Sequence, residues 1–352
     1  MQFSLDEMNA KVRSFDKSAY ERANKRWASI AKPLGSLGIF EETISRIAGM
    51  KGSEKYSLKN RHVLVMCADN GVVAQGVTQT GQEVTAIVAG NMTKAMSSVC
   101  KMAKVASAQV TPIDIGMIKR VEGTVDMHIQ DGTNDFTLGP AMTRADALLA
   151  INHGIEMVRR CAESGCDIIV TGEMGIGNTT TSSALASVLL GLSVEEVTGR
   201  GAGLSSKGLV RKINAIKKGI EVNAPDKNDA LDVLHKLGGF DIAGMAGIFI
   251  GGAIYGIPII IDGLISSVAA LVAGRLCPAS RDFMLASHTS TEPAAMMILD
   301  ELKVSPVIFA GMHLGEGTGG VCLLPLIDMV LSVYDTMSTF NDINIDAYTP
   351  QV

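Results

Sequence analysis

The sequence has few aromatic residues and no cluster of basic residues. Aromatic side chains make up 4% of the 352 residues, too few for the stacking platforms that bind single-stranded nucleic acid. The formal net charge is −5, from 31 basic and 36 acidic residues, without a basic block of the kind that contacts phosphate backbones. These two absences argue against a nucleic-acid-binding protein.

The sequence also lacks the cysteine and histidine pairs that hold metals. Its six cysteines form no CxxC pair and lie mostly in apolar surroundings, which is typical of reduced core residues in a cytoplasmic protein. Its six histidines form no HxxxH or HExxH pattern. We therefore expect no protein-held metal and no bound cofactor.

A membrane segment is not expected either. The first residues, MQFSLDEMNAKVRSFDK, are too polar and charged for a signal peptide or an anchor. Residues 242–261 carry no charge and have the length of a membrane span, but they contain five glycines and a proline. We interpret them as a buried helix, a turn at 255–258 and a buried strand that ends at Asp262.

What the sequence does contain is a recurring unit of strand, glycine loop and helix. Such units begin near residues 62, 108, 167, 257 and 304, a pattern that favours an α/β fold with a doubly wound, mainly parallel sheet. A helix is predicted over residues 84–104, and residues 1–50 are predicted to be helical around a turn at 32–38. Ligands of such sheets bind in the loops that follow the strands.

One of these loops, HLGEGTGG at residues 313–320, carries a single carboxylate between glycines. It lies between a predicted strand at 304–310 and a predicted helix at 321–333, so Glu316 is predicted at the ligand-binding edge of the sheet. We interpret Glu316 as a general base or electrostatic stabiliser, with a solvated loop glutamate as the alternative. Gly315, Gly317 and Gly320 also match the GxGxxG dinucleotide pattern, but 32 residues are too few for the remaining Rossmann unit and a carboxylate there would repel a pyrophosphate.

A second glycine loop, TGEMGIGNTT at residues 171–180, follows a predicted strand at 167–170 and precedes a predicted helix at 182–190. Its N–H groups at a helix start favour one phosphate, and no lysine precedes the threonine pair as in a Walker A loop. Glu173 is a second carboxylate at the sheet edge, and a capping role is its alternative.

Three further polar segments are candidates for ligand contact. The GRGAG turn at residues 199–203 precedes Lys212, a plausible phosphate partner. Hydroxyl and amide groups at Thr78, Thr80 and Gln82 suit a planar heteroaromatic ligand, with a solvated loop as the equal alternative. His288, in a polar cluster, is more typical of a structural histidine.

The chain resembles the nicotinate-nucleotide:dimethylbenzimidazole phosphoribosyltransferases. The resemblance extends over essentially the whole chain and depends on an ordered set of motifs: KPLGSLG at 32–38, CADNGV at 67–72, EVTAI at 83–87, GEMGIGNTT at 172–180, GRGAG at 199–203, GGFDIAGMAG at 238–247, DG at 262–263, SHTSTE at 287–292 and LGEGTGG at 314–320. It implies transfer of phosphoribose from nicotinate mononucleotide to a benzimidazole-type base, for the lower ligand of cobamides. It also implies a sheet of about six strands, a homodimer, a small helical domain (1–50 plus 335–352) and a large domain (51–334).

The resemblance implies a role for each candidate residue. Glu316 corresponds to the family's general base, and Glu173 would stabilise an oxocarbenium-like state. The phosphate and ribose would contact Gly175, Gly177, Asn178, Thr179, Gly201, Gly203 and Lys212. The incoming base would contact Thr80, Gln82, Ser290 and Leu314.

The chain departs from the family's usual residues near the base site. Asn70 and His313 replace a common histidine and arginine, Thr80-Gly81 replaces Ser-Pro, and Val88 stands where glutamine can occur. Other benzimidazoles, a purine or a phenol therefore remain conceivable acceptors. A non-catalytic nucleotide-binding protein is the second hypothesis, and an NAD-dependent dehydrogenase is the third.

Overall fold

A computed structural model describes residues 2–348 of the chain. Its centre is a six-stranded, entirely parallel sheet with the strand order β3-β2-β1-β4-β5-β6. The strands are β1 Arg61–Ala68, β2 Ala108–Gly116, β3 Val125–Asp126, β4 Ile168–Met174, β5 Ile259–Ile261 and β6 Met284–Ala286. The α/β fold class and the parallel sheet predicted from the sequence are confirmed.

Helices cover both faces of this sheet. They are α1 Leu5–Lys11, α2 Lys17–Ser29, α3 Ile39–Lys51, α4 Glu83–Thr93, α5 Ser98–Val105, α6 Arg144–Glu163, α7 Asn178–Leu190, α8 Val194–Val197, α9 Ser206–Asn223, α10 Ala230–Leu237, α11 Phe240–Tyr255, α12 Leu264–Leu276, α13 Ala294–Leu302 and α14 Thr318–Thr336. On β1, Leu64 and Met66 enter a core shared with α6, α11 and α12. Val63 and Val65 enter the opposite core, shared with α3, α5 and α14. This alternation explains why β1 is a continuous apolar run.

Helices α6 and α11 approach each other at glycines. A Cβ on Gly154 would lie 2.0 Å from the carbonyl oxygen of Gly244, and one on Gly247 would lie 1.9 Å from that of Ile151. Only glycine permits backbones this close. The glycines that make residues 242–261 unlike a membrane span therefore serve helix packing.

The predicted membrane-length segment is not one helix. Helix α11 has 16 residues, and the chain then turns at Gly256 into β5. Among the described residues, α14 is the one helix with the length and composition of a span, and half of its most apolar window is buried inside the molecule.

Two predicted elements were wrong. Residues 304–310 form no strand, because Pro306 interrupts the run and only Ile308 makes an isolated bridge, to His288. Instead, the short β6 continues the sheet beside β5. The predicted helix at 84–104 is two helices, because Ala95 has a left-handed φ of 54°. Ser97 then caps α5, its side chain accepting the N–H of Cys100.

The first and last described parts of the chain lie together. The N–H of Ala31 donates to the carbonyl of Ser338 at 2.9 Å, and the N–H of Phe340 donates to that of Ser29 at 3.0 Å. The rings of Trp27 and Tyr334 pack with centroids 4.9 Å apart. The N-terminal helices are thereby joined to the end of α14.

Candidate active site

A cavity of about 290 Å³ opens at the carboxyl ends of β4 and β5. The loops after these strands line it, together with the loop before α4, the turn before α9 and the segments on either side of α13. This is the edge at which parallel α/β sheets bind ligands. Nine of the predicted site residues line it: Thr80, Glu173, Gly175, Gly177, Asn178, Thr179, Gly201, Ser290 and Leu314.

The start of α7 forms one wall of the cavity. Gly177 caps the helix with a φ of 96°, a conformation that suits glycine. Among the described residues, the N–H of Thr179 in the first turn has no acceptor within the chain. A free N–H and the positive end of a helix dipole at a cavity wall form a binding place for an anion.

Glu173 lies at the end of β4, one residue before the strand ends, with its side chain buried. The amide nitrogen of Asn178 donates to Glu173 and also to Oδ2 of Asp241, the latter at 3.0 Å. Burial, with repulsion from Asp241, raises the pKa of Glu173 to about 8. Glu173 therefore holds a proton more strongly than an exposed glutamate does.

Asp262 connects the end of β5 to the start of α14. Its carboxylate accepts the N–H groups of Gly317 at 3.2 Å and Gly320 at 3.0 Å. Burial raises the pKa of Asp262 to about 6, against the lowering effect of these donors. Asp262 therefore caps α14 and fixes the Glu316 loop on the sheet edge.

The Glu316 loop has an unusual backbone. Three consecutive residues have positive φ, Gly315 at 88°, Glu316 at 62° and Gly317 at 92°. The left-handed conformation is costly for a glutamate and is concentrated at functional sites. The carbonyl oxygen of Glu316 would lie 2.4 Å from a Cβ on Gly172, so this strand glycine allows the loop to approach.

The side chain of Glu316 lies behind the cavity wall. The wall is formed by Leu314 and Gly315, and Glu316 itself does not line the cavity. Oε2 of Glu316 accepts the N–H of Val99 in the first turn of α5, at 3.2 Å. Partial burial raises the pKa of Glu316, opposed by this N–H. The loop reaches the cavity, but the carboxylate of Glu316 is turned to α5.

Lys212 lies behind the two glycine loops and does not line the cavity. It is fully buried, and Nζ donates to Oγ1 of Thr179 at 2.9 Å and to the carbonyl of Gly199 at 3.1 Å. Burial lowers the pKa of Lys212 to about 8. Its position joins the start of α7 to the GRGAG turn.

The GRGAG turn places Gly201, but not Gly203, against the cavity. The N–H of Gly201 donates to Oε1 of Glu292 at 2.9 Å. The N–H of Gly203 donates to the carbonyl of Arg200 at 3.2 Å within the turn. Both N–H groups are thus occupied by the protein itself.

On the side predicted to receive the base, Thr80, Ser290 and Leu314 line the cavity. Gln82 does not line it, because its amide donates to the carbonyl of Asn70 at 3.0 Å. His313, which like Thr80 differs from the family's usual residue, also lines the cavity. Its Nδ1 lies 3.1 Å from the carbonyl oxygen of Gly311, within hydrogen-bond distance.

Sequence reasoning did not select four residues that the fold brings to this site. Arg200, Asp262 and Glu292 line the cavity, and Asp241 lies behind it against Asn178. Asp262 ends a predicted strand, so its position could have been found from the pattern. The contacts of Asp241 and Glu292 join residues distant in sequence, and no local signal indicates them. Among residues 2–348, no group of three or more His, Cys, Asp and Glu side chains is placed to hold a metal ion.

Comparison with known proteins relates the whole chain to one group. Residues 12–345 match the model of the DBI_PRT family, described as phosphoribosyltransferase. The nicotinate-nucleotide–dimethylbenzimidazole phosphoribosyltransferase of Ruminiclostridium cellulolyticum is 41% identical over 349 residues, 99% of each chain. The protein of the same name from Acetivibrio thermocellus is 43% identical over 338 residues, 96% of each.

A solved structure gives the same relation in three dimensions. The crystal structure of CobT from Thermus thermophilus matches with a TM-score of 0.89 and 33% identity, over 94% of this chain and 100% of that one. A likeness in fold over nearly the full length of both chains accompanies the likeness in sequence.

Proposed function

We infer the chemistry of the cavity from one premise: the chain belongs to the nicotinate-nucleotide–dimethylbenzimidazole phosphoribosyltransferase family. The chain is a phosphoribosyltransferase that moves phosphoribose from nicotinate mononucleotide to 5,6-dimethylbenzimidazole or a related base, releasing nicotinate. The product, an α-ribazole 5′-phosphate, supplies the lower ligand of cobamides. The hypotheses of a non-catalytic binder and of a dehydrogenase receive no support from the relatives.

The assignment of the site depends on one observation: the start of α7, with the free N–H of Thr179, and the Glu316 loop, with its single carboxylate, lie at the same edge of the sheet. We assign the phosphate to the start of α7, where Thr179 offers its N–H and where Gly175, Gly177 and Asn178 line the cavity. Gly201 lines this subsite, and Gly203 and Lys212 support it from behind through the contacts described above.

Glu316 is assigned as the general base. One nitrogen of the azole attacks the anomeric carbon, the bond from that carbon to nicotinate breaks, and the N–H proton of the azole passes to the carboxylate. A raised pKa suits this task, because a stronger base accepts the proton more readily. To reach the base, the side chain of Glu316 must leave the N–H of Val99, so binding of the base includes this rotation.

Glu173 is assigned as the group facing the ribose. Nicotinate mononucleotide carries a positive pyridinium, and the reaction passes through an oxocarbenium-like state, so both charges favour the carboxylate form of a neighbouring acid. Substrate binding therefore lowers the raised pKa of Glu173, and Glu173 loses its proton to solvent. The negative carboxylate then stabilises the developing charge on the sugar.

The base is assigned to the wall of Thr80, Ser290 and Leu314. Leu314 is 56% exposed, so a planar ligand would cover an apolar side chain that now meets solvent. Gln82 would act indirectly, by holding the backbone at Asn70. Thr80 and His313, both at this cavity, differ from the family's usual residues and make this the side on which base preference is decided.

Three features of the whole molecule are proposed on the family resemblance: a homodimer, a cytoplasmic location, and a division into a small helical domain (1–50 plus 335–352) and a large domain (51–334). The pairing of residues 29–31 with 338–340 supports the division. Met1 and residues 349–352 of that small domain lie outside the described residues. Light scattering coupled to gel filtration measures the oligomeric state directly.

The test is nicotinate release from nicotinate mononucleotide across a panel of benzimidazoles, a purine and a phenol. We expect Glu316→Gln to lower kcat on the order of 10²- to 10⁴-fold, the usual worth of a positioned general base. Glu221→Gln, at an exposed position on α9, is the control and should keep normal turnover.

Near-normal turnover of Glu316→Gln would remove the proposed base while leaving the family activity in place. Calorimetric saturation with nicotinate mononucleotide in the presence of every base, without release of nicotinate, would support the non-catalytic binder instead.

A further inference from the structure

A carboxylate with one unused oxygen lies beside the proposed phosphate subsite. Glu292 lines the cavity, and its Oε1 accepts the N–H of Gly201 at 2.9 Å. Its Oε2 is buried and, among the described residues, has no hydrogen-bond partner. A Cβ on Gly199 would lie 2.1 Å from this oxygen, so the carboxylate lies directly on the glycine turn.

The groups around Glu292 are those that bind anions. Lys212, the buried cation behind the turn, holds the carbonyl of Gly199 and the hydroxyl of Thr179. Its ammonium interacts favourably with the charge of Glu292, which opposes the effect of burial on the pKa of Lys212. Thr179 also supplies the free N–H at the start of α7. An N–H, a buried ammonium and a helix start therefore converge near one carboxylate.

The carboxylate of Glu292 is held in this position by few hydrogen bonds. A buried carboxylate oxygen without a donor loses the hydrogen bonds that it makes in water. One N–H bond, from Gly201, is the hydrogen bond that the carboxylate itself retains within the described chain. A ligand with more oxygens and more negative charge can satisfy the same donors better.

We propose that Glu292 is an internal anion that occupies part of the phosphate subsite, and that the 5′-phosphate of nicotinate mononucleotide displaces it. The inference depends on the proposed function, because it takes the phosphate to bind at α7 and the GRGAG turn. Since one N–H of Gly201 cannot serve two anions fully and like charges repel, phosphate entry requires the carboxylate to move away.

The consequence is selectivity for ligands that carry a phosphate. The cost of moving Glu292 is recovered by a phosphomonoester, which takes over the N–H of Gly201 and the field of Lys212. A nucleoside without phosphate leaves Glu292 in place. Glu292 is thus a positioning residue that keeps the subsite formed and closed to weaker ligands.

The test compares the wild-type chain with Glu292→Gln, whose amide oxygen can still accept the N–H of Gly201 but carries no charge. Calorimetry measures binding of inorganic phosphate, nicotinate mononucleotide and nicotinate riboside. We expect the variant to bind the first two more tightly, on the order of 10-fold, because a competing charge is gone. Binding of the riboside should not change.

Glu301→Gln is the matched control. It removes one negative charge from helix α13, at an exposed ion pair with Arg275 outside the cavity, and should leave all three affinities unchanged. Glu292→Ala provides a second variant, in which loss of the acceptor for Gly201 is added to loss of charge. Melting temperatures establish that each variant is folded.

Unchanged or weaker phosphate binding by Glu292→Gln would overturn the inference, since Glu292 would then stabilise the turn or contact the substrate directly. Equal tightening for the riboside would overturn it as well. If the wild-type chain binds nicotinate mononucleotide and releases nicotinate, the family activity is secure whatever Glu292 does. Failure of the wild type in both assays would instead refute the proposed function.

Discussion

Glu173 and Glu316 have the same side chain but opposite surroundings. Glu173 is buried at the cavity wall beside Asp241 and Asn178, whereas Glu316 is half-buried on a loop behind the wall and held by one N–H of Val99. The placement of Glu173 at the edge of the sheet followed from the predicted strand before it. The strand predicted before Glu316 was wrong, and its loop is held at that edge by contacts with Gly172 and Asp262. The protonation of the two glutamates could not be predicted, since Asp241 and Val99 are distant in sequence and meet them only in the fold.

The buried acid Glu173 should make stability depend on pH. Its pKa is raised from 4.5 to about 8, so the folded chain retains a proton that the unfolded chain loses. Its contribution to stability is complete below about pH 4.5 and is lost as the pH rises through about 8. Relative to Glu173→Gln, we expect the wild type to lose up to about 1.4 kcal/mol of unfolding free energy per pH unit across this interval.

Urea denaturation of both proteins at several pH values measures this difference. The comparison is anchored at low pH, where Glu173 of the wild type is protonated in both the folded and the unfolded chain. Parallel curves for the two proteins would show that Glu173 is already ionised in the folded chain.

The raised pKa of Glu316 should appear in the rate. A general base acts only when deprotonated, so kcat/KM should fall on acidification at a pH above the ordinary glutamate value of 4.5. In Glu316→Gln the residual rate should not show this fall on acidification, the acid limb of the pH profile. A pH profile of nicotinate release with both proteins makes the comparison, and an acid limb that survives in the variant would assign it to another group.

At the scale of elements, helix contacts decide which glycines matter. No local pattern indicates that Gly154 on α6 opposes Gly244 and Gly247 on α11, because the contact joins helices about 90 residues apart. Strand β1 was predictable from its continuous apolar run, and β4 from the apolar residues with which it begins. The three-residue β6 was not, and Pro306 makes the apolar run after α13 a loop.

Substitution at the helix contact should be costly. Gly154→Ala would place a Cβ 2.0 Å from the carbonyl oxygen of Gly244, so α6 and α11 must move apart. We expect a loss of about 2–4 kcal/mol in the free energy of unfolding. Gly90→Ala in α4 is the control, because its nearest neighbour would be 3.7 Å away and alanine favours helices.

Chemical denaturation monitored by circular dichroism gives both values. We expect Gly90→Ala to be neutral or stabilising by up to about 1 kcal/mol. Similar, neutral or favourable changes in the two variants would mean that helix propensity, and not the close approach of α6 and α11, determines the result.

At the scale of the whole molecule, the N-terminal helices share a core with the sheet. Trp27 belongs to the same apolar cluster as Val63 and Val65 of β1, and its ring packs on Tyr334 at the end of α14. The order of motifs along the chain was sufficient for the resemblance and hence for the fold class. The order of motifs could not show that the N-terminal helices and the sheet share a core, because this depends on how the helices pack on the sheet.

A single tryptophan makes this shared core testable. Trp27 is the only tryptophan of the chain, so its fluorescence reports the packing of the N-terminal helices against Tyr334 and the shared core. We expect the urea midpoint from fluorescence to coincide with that from far-ultraviolet circular dichroism, because unfolding these helices exposes the core of the sheet. Trp27→Phe supplies the background signal. A fluorescence midpoint at lower urea would show that the small domain unfolds independently.

The role of Asp262 bears on how this enzyme can change over time. One side chain caps α14, fixes the backbone of the Glu316 loop and borders the cavity, so its exchange would disturb the loop and the cavity wall together. Thr80, His313 and Leu314, by contrast, project from the exposed rim. Lineages can therefore acquire new acceptor preferences through substitutions at the rim while inheriting the reaction centre intact.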